Sequence, residues 1–97
     1  MRYEIIFAPE AAQDLKRLGA HERAAVREAM ERHLRHQPAR MSRSRIKRLR
    51  GVSQPQFRLR AGEIRVFYDV TEKAVEVLAI VSNSLAADWL EKADTKS

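Results

Sequence analysis

A strict alternation of apolar and polar residues on either side of Gly62-Glu63 constrains this chain more than any other feature. Before the glycine, Phe57 and Leu59 alternate with arginines, and after the glutamate every second residue of Ile64–Val70 is apolar. A period of two is typical of strands that bury one face. A glycine at the first central position suits a two-residue type II′ turn. The segment is therefore predicted to be an antiparallel β-hairpin.

The same alternation selects the register of the hairpin. Leu59 is expected to pair with Val66, and two positions further along Phe57 is expected to pair with Tyr68, which turns this tyrosine inward as a core residue. A slip of one residue would place arginines on the apolar face. The opposite face then carries three arginines and an aromatic ring: Arg58, Arg60, Arg65 and Phe67. Because like charges directly opposite one another destabilise a sheet, this arrangement suggests an anionic ligand.

The segment before the hairpin predicts one strand and two helices. Residues 2–7 alternate as a strand does, and Pro9 then suits the first turn of a helix that ends before Gly19. A second helix is predicted over residues 21–36, where apolar side chains recur every four positions at Val26, Met30 and Leu34. Because the link between the helices is so short, they are expected to form an antiparallel helical hairpin.

The remaining segments complete an α+β fold in one domain, residues 1–97. Residues 37–52 predict a long basic loop, in which Ile46–Leu49 is a candidate for a short strand. The nearly uninterrupted apolar run of Ala74–Val81 is typical of a central strand. A short final helix should contain Leu85, Trp89 and Leu90, with the tryptophan as an apolar anchor. We expect a two-helix hairpin packed on a twisted, mainly antiparallel four-stranded sheet, followed by a short C-terminal helix.

Composition excludes several classes of protein. A chain of 97 residues, 44% of them hydrophobic, can build one modest core. It has no cysteine, which rules out disulfides and thiolate chemistry. No apolar run reaches the roughly 18–20 residues that span a bilayer, so we expect a cytoplasmic protein without a membrane partner. His33 and His36 are three apart with no third ligand nearby, so they are interpreted as surface histidines, and neither a metal nor another cofactor is expected.

Positive charge is concentrated in one part of the chain. Residues 35–65 contain ten lysines and arginines against a single acid, Glu63, whereas acidic residues outnumber basic ones in the rest of the chain. Mixed solvated surfaces do not separate charge in this way. The segregation favours a localised site for a polyanion or an acidic protein.

The ordered set of motifs resembles the RelE/ParE superfamily of toxins from bacterial type II toxin–antitoxin systems, with the RelE-like branch favoured. Arg48-Leu49-Arg50-Gly51-Val52 is similar to the family's K-L-x-G stretch. Two strand motifs follow it in the family's order, Phe57-Arg58-Leu59-Arg60 and Ile64-Arg65-Val66-Phe67-Tyr68. The similarity covers about residues 2–90.

This resemblance implies a toxin that enters the ribosomal A site and cleaves mRNA without a metal. By position, Arg58 and Arg65 correspond to the catalytic basic residues of that branch. The resemblance also implies a surrounding RNA-binding surface, formed by Arg45, Lys47, Arg48, Arg50 and Arg60. The implied partners are the ribosome, mRNA and a cognate acidic antitoxin, which would hold the toxin in a hetero-oligomer.

Three positions differ from the better-known RelE-like toxins and keep two other functions open. Gln56 stands where RelE has a lysine, and Ser82-Asn83-Ser84 stands where an arginine is frequent. The family's C-terminal tyrosine has no counterpart, since the local residues are Trp89 and Leu90. Tryptophan can stack on a base but cannot exchange a proton. The alternatives are a ParE-like, non-enzymatic inhibitor of DNA gyrase and a decayed toxin that retains only antitoxin binding.

Overall fold

The computed structural model describes residues 1–95, which form three helices and five strands. In chain order the elements are β1 (Glu4–Phe7), α1 (Pro9–Arg17), α2 (Ala20–Leu34), β2 (Ile46–Arg48), β3 (Phe57–Ala61), β4 (Ile64–Val70), β5 (Ala74–Ser82) and α3 (Asn83–Thr95). Each predicted element is present. The α+β class is therefore confirmed.

The strands of residues 1–95 form a single sheet in the order β1-β5-β4-β3-β2. Of these strand pairs, β1 and β5 run parallel and the others are antiparallel. The expected count of four strands is wrong by one, because the candidate strand around Ile46 forms and pairs with β3 opposite Leu59. Three residues are too few for a period of two to identify a strand with certainty. The fifth strand adds a basic edge to the sheet.

The hairpin β3–β4 has the register that the alternation predicts. Leu59 lies opposite Val66, and Phe57 lies opposite Tyr68 with the two rings stacked 5.5 Å apart. Gly62 has a φ of +63°, and within residues 1–95 no residue type other than glycine adopts a positive φ. Positive φ at the first central position alone is the signature of a type II′ turn.

The main core lies between one face of the sheet and the helical hairpin α1–α2. Its helical side chains are Ala11, Leu15, Val26, Met30 and Leu34. Tyr68 is fully buried among them, and its hydroxyl donates a hydrogen bond of 2.7 Å to the carbonyl oxygen of Pro38. The expectation that this tyrosine is a core residue is confirmed. We call this side of the sheet the helix face.

Helix α3 packs on the other side of the sheet. The Trp89 ring stacks on Phe67 with 4.9 Å between ring centroids and 8° between their planes. Phe67 is fully buried and does not belong to the main core cluster. Trp89 is thus the apolar anchor that the sequence predicts, and it covers the centre of the sheet face that also carries the arginines.

Helix α1 completes the edge of β5 where β1 ends. Strand β1 pairs with β5 only as far as Phe7 opposite Val77. Further along β5, the Ile80 N–H donates a hydrogen bond of 3.0 Å to the Asp14 carboxylate. A side chain of α1 therefore supplies an acceptor that a strand would otherwise provide. Within residues 1–95, no helix has the length and apolar character needed to span a bilayer.

Candidate nucleic-acid interface

Four basic side chains lie on the sheet face opposite the helical hairpin, which we call the arginine face. Lys47 of β2 lies directly across from Arg58 of β3, and Arg60 lies directly across from Arg65 of β4. Directly opposite residues in antiparallel strands project from the same face. The neighbouring β2, β3 and β4 thus gather Lys47 and three of the predicted site arginines into one cationic surface.

Arg58 is the least compensated member of this surface. Its Nε atom is buried and has no hydrogen-bond partner among the described residues. Burial lowers the pKa of the Arg58 guanidinium, and the charges of Arg65 and Arg60 lower it further. An anion against the accessible end of this guanidinium would offset the repulsion from its neighbours.

Arg65 lies on the predicted face but is more enclosed than the sequence suggests. Only 8% of its surface is exposed, and its Nη1 donates to the carbonyl oxygens of Gly62 (2.8 Å) and Ile64 (3.1 Å). Because this arginine also holds the hairpin turn, its removal is expected to destabilise the hairpin as well as to remove a charge from the face. Strand alternation specifies where Cβ points but not where a long side chain ends.

The single carboxylate of β4, that of Asp69, is already engaged in hydrogen bonds outside the arginine face. One oxygen of Asp69 accepts a hydrogen bond of 2.7 Å from the Gln54 side chain, and the other accepts one of 2.7 Å from the Gln56 backbone N–H. The Gln56 side-chain oxygen in turn accepts from the N–H of Val70 at 2.9 Å. This network ties the loop between β2 and β3 to β4, and the three arginines of the face have no ion pair among residues 1–95.

The other predicted RNA-binding residues lie away from the arginine face. Arg48 pairs with Phe57 and therefore projects from the helix face, where its guanidinium lies 5.3 Å from the centre of that ring. Arg50 is exposed in the loop after β2. Arg45 lines a groove beside α2. The direction of these side chains depends on β2, whose three residues are too short to be assigned firmly from a periodic pattern.

The two histidines do not assemble a metal site. His33 is half-buried near the end of α2, and His36 is exposed just beyond it, as expected for surface positions. Over residues 1–95, no group of three or more acidic, histidine or cysteine side chains is placed to hold a metal ion.

A helical hairpin on one side of a mainly antiparallel sheet, with basic side chains on the other side, is the arrangement of the class of small RelE/ParE-like toxins. The sequence model of the ParE toxin of type II toxin–antitoxin systems (parDE) matches residues 5–84. The chain belongs to this family and is a toxin of a type II toxin–antitoxin system. No curated protein sequence is significantly similar to it.

Solved structures of RelE-type toxins share the fold. The RelBE2 toxin–antitoxin complex of Mycobacterium tuberculosis contains a chain 27% identical, with a TM-score of 0.72 over 84% of this chain and 99% of that one. A free, doubly mutated RelE from E. coli is 21% identical, with a TM-score of 0.71 over 99% and 97% of the two chains. The YoeB toxin of Staphylococcus aureus is 19% identical, with a TM-score of 0.61 over 84% and 97%.

Proposed function

We propose that this toxin inhibits translation by cleaving mRNA in the ribosomal A site, with the arginine face against the scissile phosphate. The observation that carries the proposal is the cluster of Arg58, Arg60 and Arg65 on one sheet face, which has no ion pair among residues 1–95. A surface of this kind is suited to a ligand that brings several negative charges. RNA is such a ligand.

The chemistry available to the arginine face is charge stabilisation. In metal-independent cleavage the ribose 2′-oxygen attacks the adjacent phosphorus, the bond to the leaving 5′-oxygen breaks, and negative charge builds up on the phosphorane. Arg58 would hold the phosphate oxygens through its planar fork, and Arg65 would add charge from the opposite strand. Arginine stays protonated, so it serves as a cation and not as a general base. Lys47 and Arg60 would grip the flanking phosphates.

A cognate acidic antitoxin is part of the proposal. The Mycobacterium tuberculosis toxin is seen in a toxin–antitoxin complex, as is the YafQ toxin of E. coli with DinJ. Residues 35–65 of this chain carry ten basic residues and a single acid, which is the complement of an acidic partner. The two proteins would form a hetero-oligomer in the cytoplasm.

Primer extension on mRNA in a reconstituted translation reaction tests the nuclease. The toxin should produce cuts within the A-site codon that require ribosomes. Arg58→Ala should slow cleavage roughly 30- to 900-fold, which corresponds to about 2–4 kcal/mol of lost transition-state stabilisation. Arg27→Ala is the matched control, because it removes an exposed arginine of α2 outside the arginine face. Equal cleavage by Arg58→Ala and Arg27→Ala would show that the arginine face is not the site.

A second candidate function is inhibition of DNA gyrase without catalysis. The match to the ParE sequence model favours it, and so does the poor capacity of Trp89 and Tyr68 to donate a proton. Trp89 has no transferable proton of the required kind, and Tyr68 is buried against Pro38 with its pKa raised by that burial. Growth arrest without mRNA cuts, together with loss of gyrase supercoiling by the purified toxin, would replace the nuclease proposal with this one.

A further inference from the structure

Three polar side chains form a connected group beside the arginine face, on the same side of the sheet: Gln54, Gln56 and Asp69. Gln56 comes two positions before Arg58 in the chain. Its carbonyl oxygen accepts the Leu49 N–H at 2.8 Å, which extends the pairing of β2 with β3 to this residue. Strand alternation therefore directs Gln56 to the same side of the sheet as Arg58. We call this group the amide site.

Hydrogen bonds fix which end of each amide in the amide site remains free. The Gln56 Oε1 atom accepts the Val70 N–H at 2.9 Å, so the NH2 group of this side chain is its free end. The Gln54 NH2 group donates to one oxygen of Asp69 at 2.7 Å, which makes Oε1 the free end of Gln54. Neither free end forms a hydrogen bond with another group of residues 1–95. An amide turned the other way would lose the bond that holds it.

The amide site presents one donor beside several acceptors. The donor is the Gln56 NH2 group, and the acceptors are Gln54 Oε1 and the unused lone pairs of the Asp69 carboxylate. The negative charge of Asp69 repels a phosphate. The complementary ligand is therefore a neutral group that carries N–H donors next to an acceptor. Gln54 is exposed, and Gln56 and Asp69 are half-buried, so such a ligand can reach all three side chains.

Guanine is the nucleobase that matches this pattern. Its Watson–Crick edge carries two donors, N1–H and the N2 amino group, next to the acceptor O6. Adenine and cytosine each place one amino donor beside a ring nitrogen that accepts, and uracil places one donor between two acceptors. Carboxylate and amide side chains read base edges through hydrogen bonds of this kind. In single-stranded RNA the Watson–Crick edge is open to them.

We propose that the amide site recognises a guanine of the message beside the phosphate that Arg58 holds. The inference rests on the proposed function, because it makes these residues a determinant of which codons are cut. Asp69 and Gln54 accept the two N–H donors of guanine, and the Gln56 NH2 group donates to O6. Two residues of an extended strand span about 6.8 Å, a separation that the base and the phosphate of one nucleotide can bridge.

A reconstituted translation reaction with a set of A-site codons tests the amide site. Guanine, adenine, cytosine and uracil are placed in turn at each codon position, and the cleavage rate is measured by primer extension. The wild type should cut codons with guanine at one position about 5- to 150-fold faster than the others, the range expected for one paired contact to a base edge. Equal rates for the four bases at every position, or a preference for another base, would overturn the proposal.

Gln56→Glu is the most informative variant. It keeps the length of the side chain and an oxygen for the Val70 N–H, but it replaces the free donor by an acceptor that opposes guanine O6. The ratio of cleavage rates between guanine codons and the others should fall to about 1, which a mere loss of stability would not cause. Gln13→Ala, at an exposed glutamine of α1, is the control and should keep the wild-type ratio. An unchanged ratio in Gln56→Glu would show that this amide does not read the base.

Binding of mononucleotides to the free toxin separates this proposal from the nuclease. Guanosine and adenosine 5′-monophosphate carry the same phosphate, so a difference between them reports the base alone. In NMR titrations the guanosine nucleotide should shift the side-chain NH2 signals of Gln54 and Gln56, and the adenosine nucleotide should leave them in place. Equal shifts with both, or no shift with either, would refute the amide site.

The two proposals fail separately. Absence of mRNA cuts, with shifts that are specific for the guanosine nucleotide, would refute the nuclease and leave the amide site standing. Normal A-site cleavage without any base preference would refute the amide site alone.

Discussion

Replacing Tyr68 by phenylalanine tests whether this tyrosine belongs to the core or to the chemistry. The change removes a single oxygen atom from a fully buried side chain and leaves the ring that stacks on Phe57. The removed hydroxyl donates a 2.7 Å hydrogen bond to the carbonyl oxygen of Pro38, a residue that is itself buried. Because both residues are buried, neither the hydroxyl nor the carbonyl can readily form a hydrogen bond to water instead.

The expected loss of unfolding free energy follows from the Pro38 carbonyl oxygen, which Tyr68→Phe leaves without its hydrogen-bond donor. A buried acceptor without its partner costs about 1–3 kcal/mol, and in a domain of this size each kcal/mol lowers the melting temperature by about 4–8 °C. The phenol adds a pH effect. Burial raises the pKa of Tyr68 above its ordinary value of 10.0, so the folded state keeps a proton that the unfolded state releases. Stability from this group is therefore present below pH 10 and is lost as pH rises above it.

Urea unfolding followed by far-UV circular dichroism measures both effects. Tyr68→Phe should lower the free energy of unfolding at pH 7 with an unchanged m-value, and above pH 10 its stability should fall less steeply than that of the wild type. Growth arrest at equal folded concentration should persist. An unchanged unfolding free energy combined with loss of toxicity would refute the core role and make this hydroxyl a functional group.

Two further predictions concern the core and a histidine near the end of α2. Phe57→Ala should cost about 3–5 kcal/mol, because the ring is almost fully buried between Tyr68 and the Arg48 guanidinium; a wild-type melting temperature would contradict the packing described here. With His33→Gln, the free energy of unfolding should decrease less than in the wild type as the pH falls below 6.5. Since burial and neighbouring arginines lower the pKa of His33 below 6.5, the unfolded state takes up the proton first and stability is lost as pH falls below that value. His21→Gln, at an exposed position of α2, is the control, and an equal change in both variants would contradict this assignment.

The hairpin could be predicted residue by residue because two independent signals agree there. Apolar alternation indicates the direction of each side chain, and Gly62 indicates the position of the turn. The pairing of β4 with β5 could not be predicted in the same way, because apolar alternation is missing there. The register shift of β4 against β5 at Phe67 and Tyr68 leaves no mark in a run that is apolar on both faces.

The sequence predicted which residues belong to the candidate site but not how the fold arranges all of them in space. The charge count identified a basic segment, and the alternation brought Arg58, Arg60 and Arg65 together. The alternation did not show that Arg48 projects from the helix face and not from the arginine face, because its direction depends on the short strand β2. The groove beside α2 that Arg32 and Arg45 line could not be predicted, because these residues come together only through tertiary packing. Enclosure of the Arg65 guanidinium by carbonyls of the turn was likewise beyond any periodic pattern.

The parallel pairing of β1 with β5 also has a consequence for how the toxin folds during its synthesis. Glu4 of β1 finds its partner in Ala74, and among the described strands β1 has no other neighbour in the sheet. Pairing β1 with β5 closes a loop that contains all the elements between them, and this is slow compared with forming the local hairpin β3–β4. During synthesis β1 must therefore wait, unpaired, until β5 has been made. A nascent toxin stays unfinished until the ribosome has translated past its last strand.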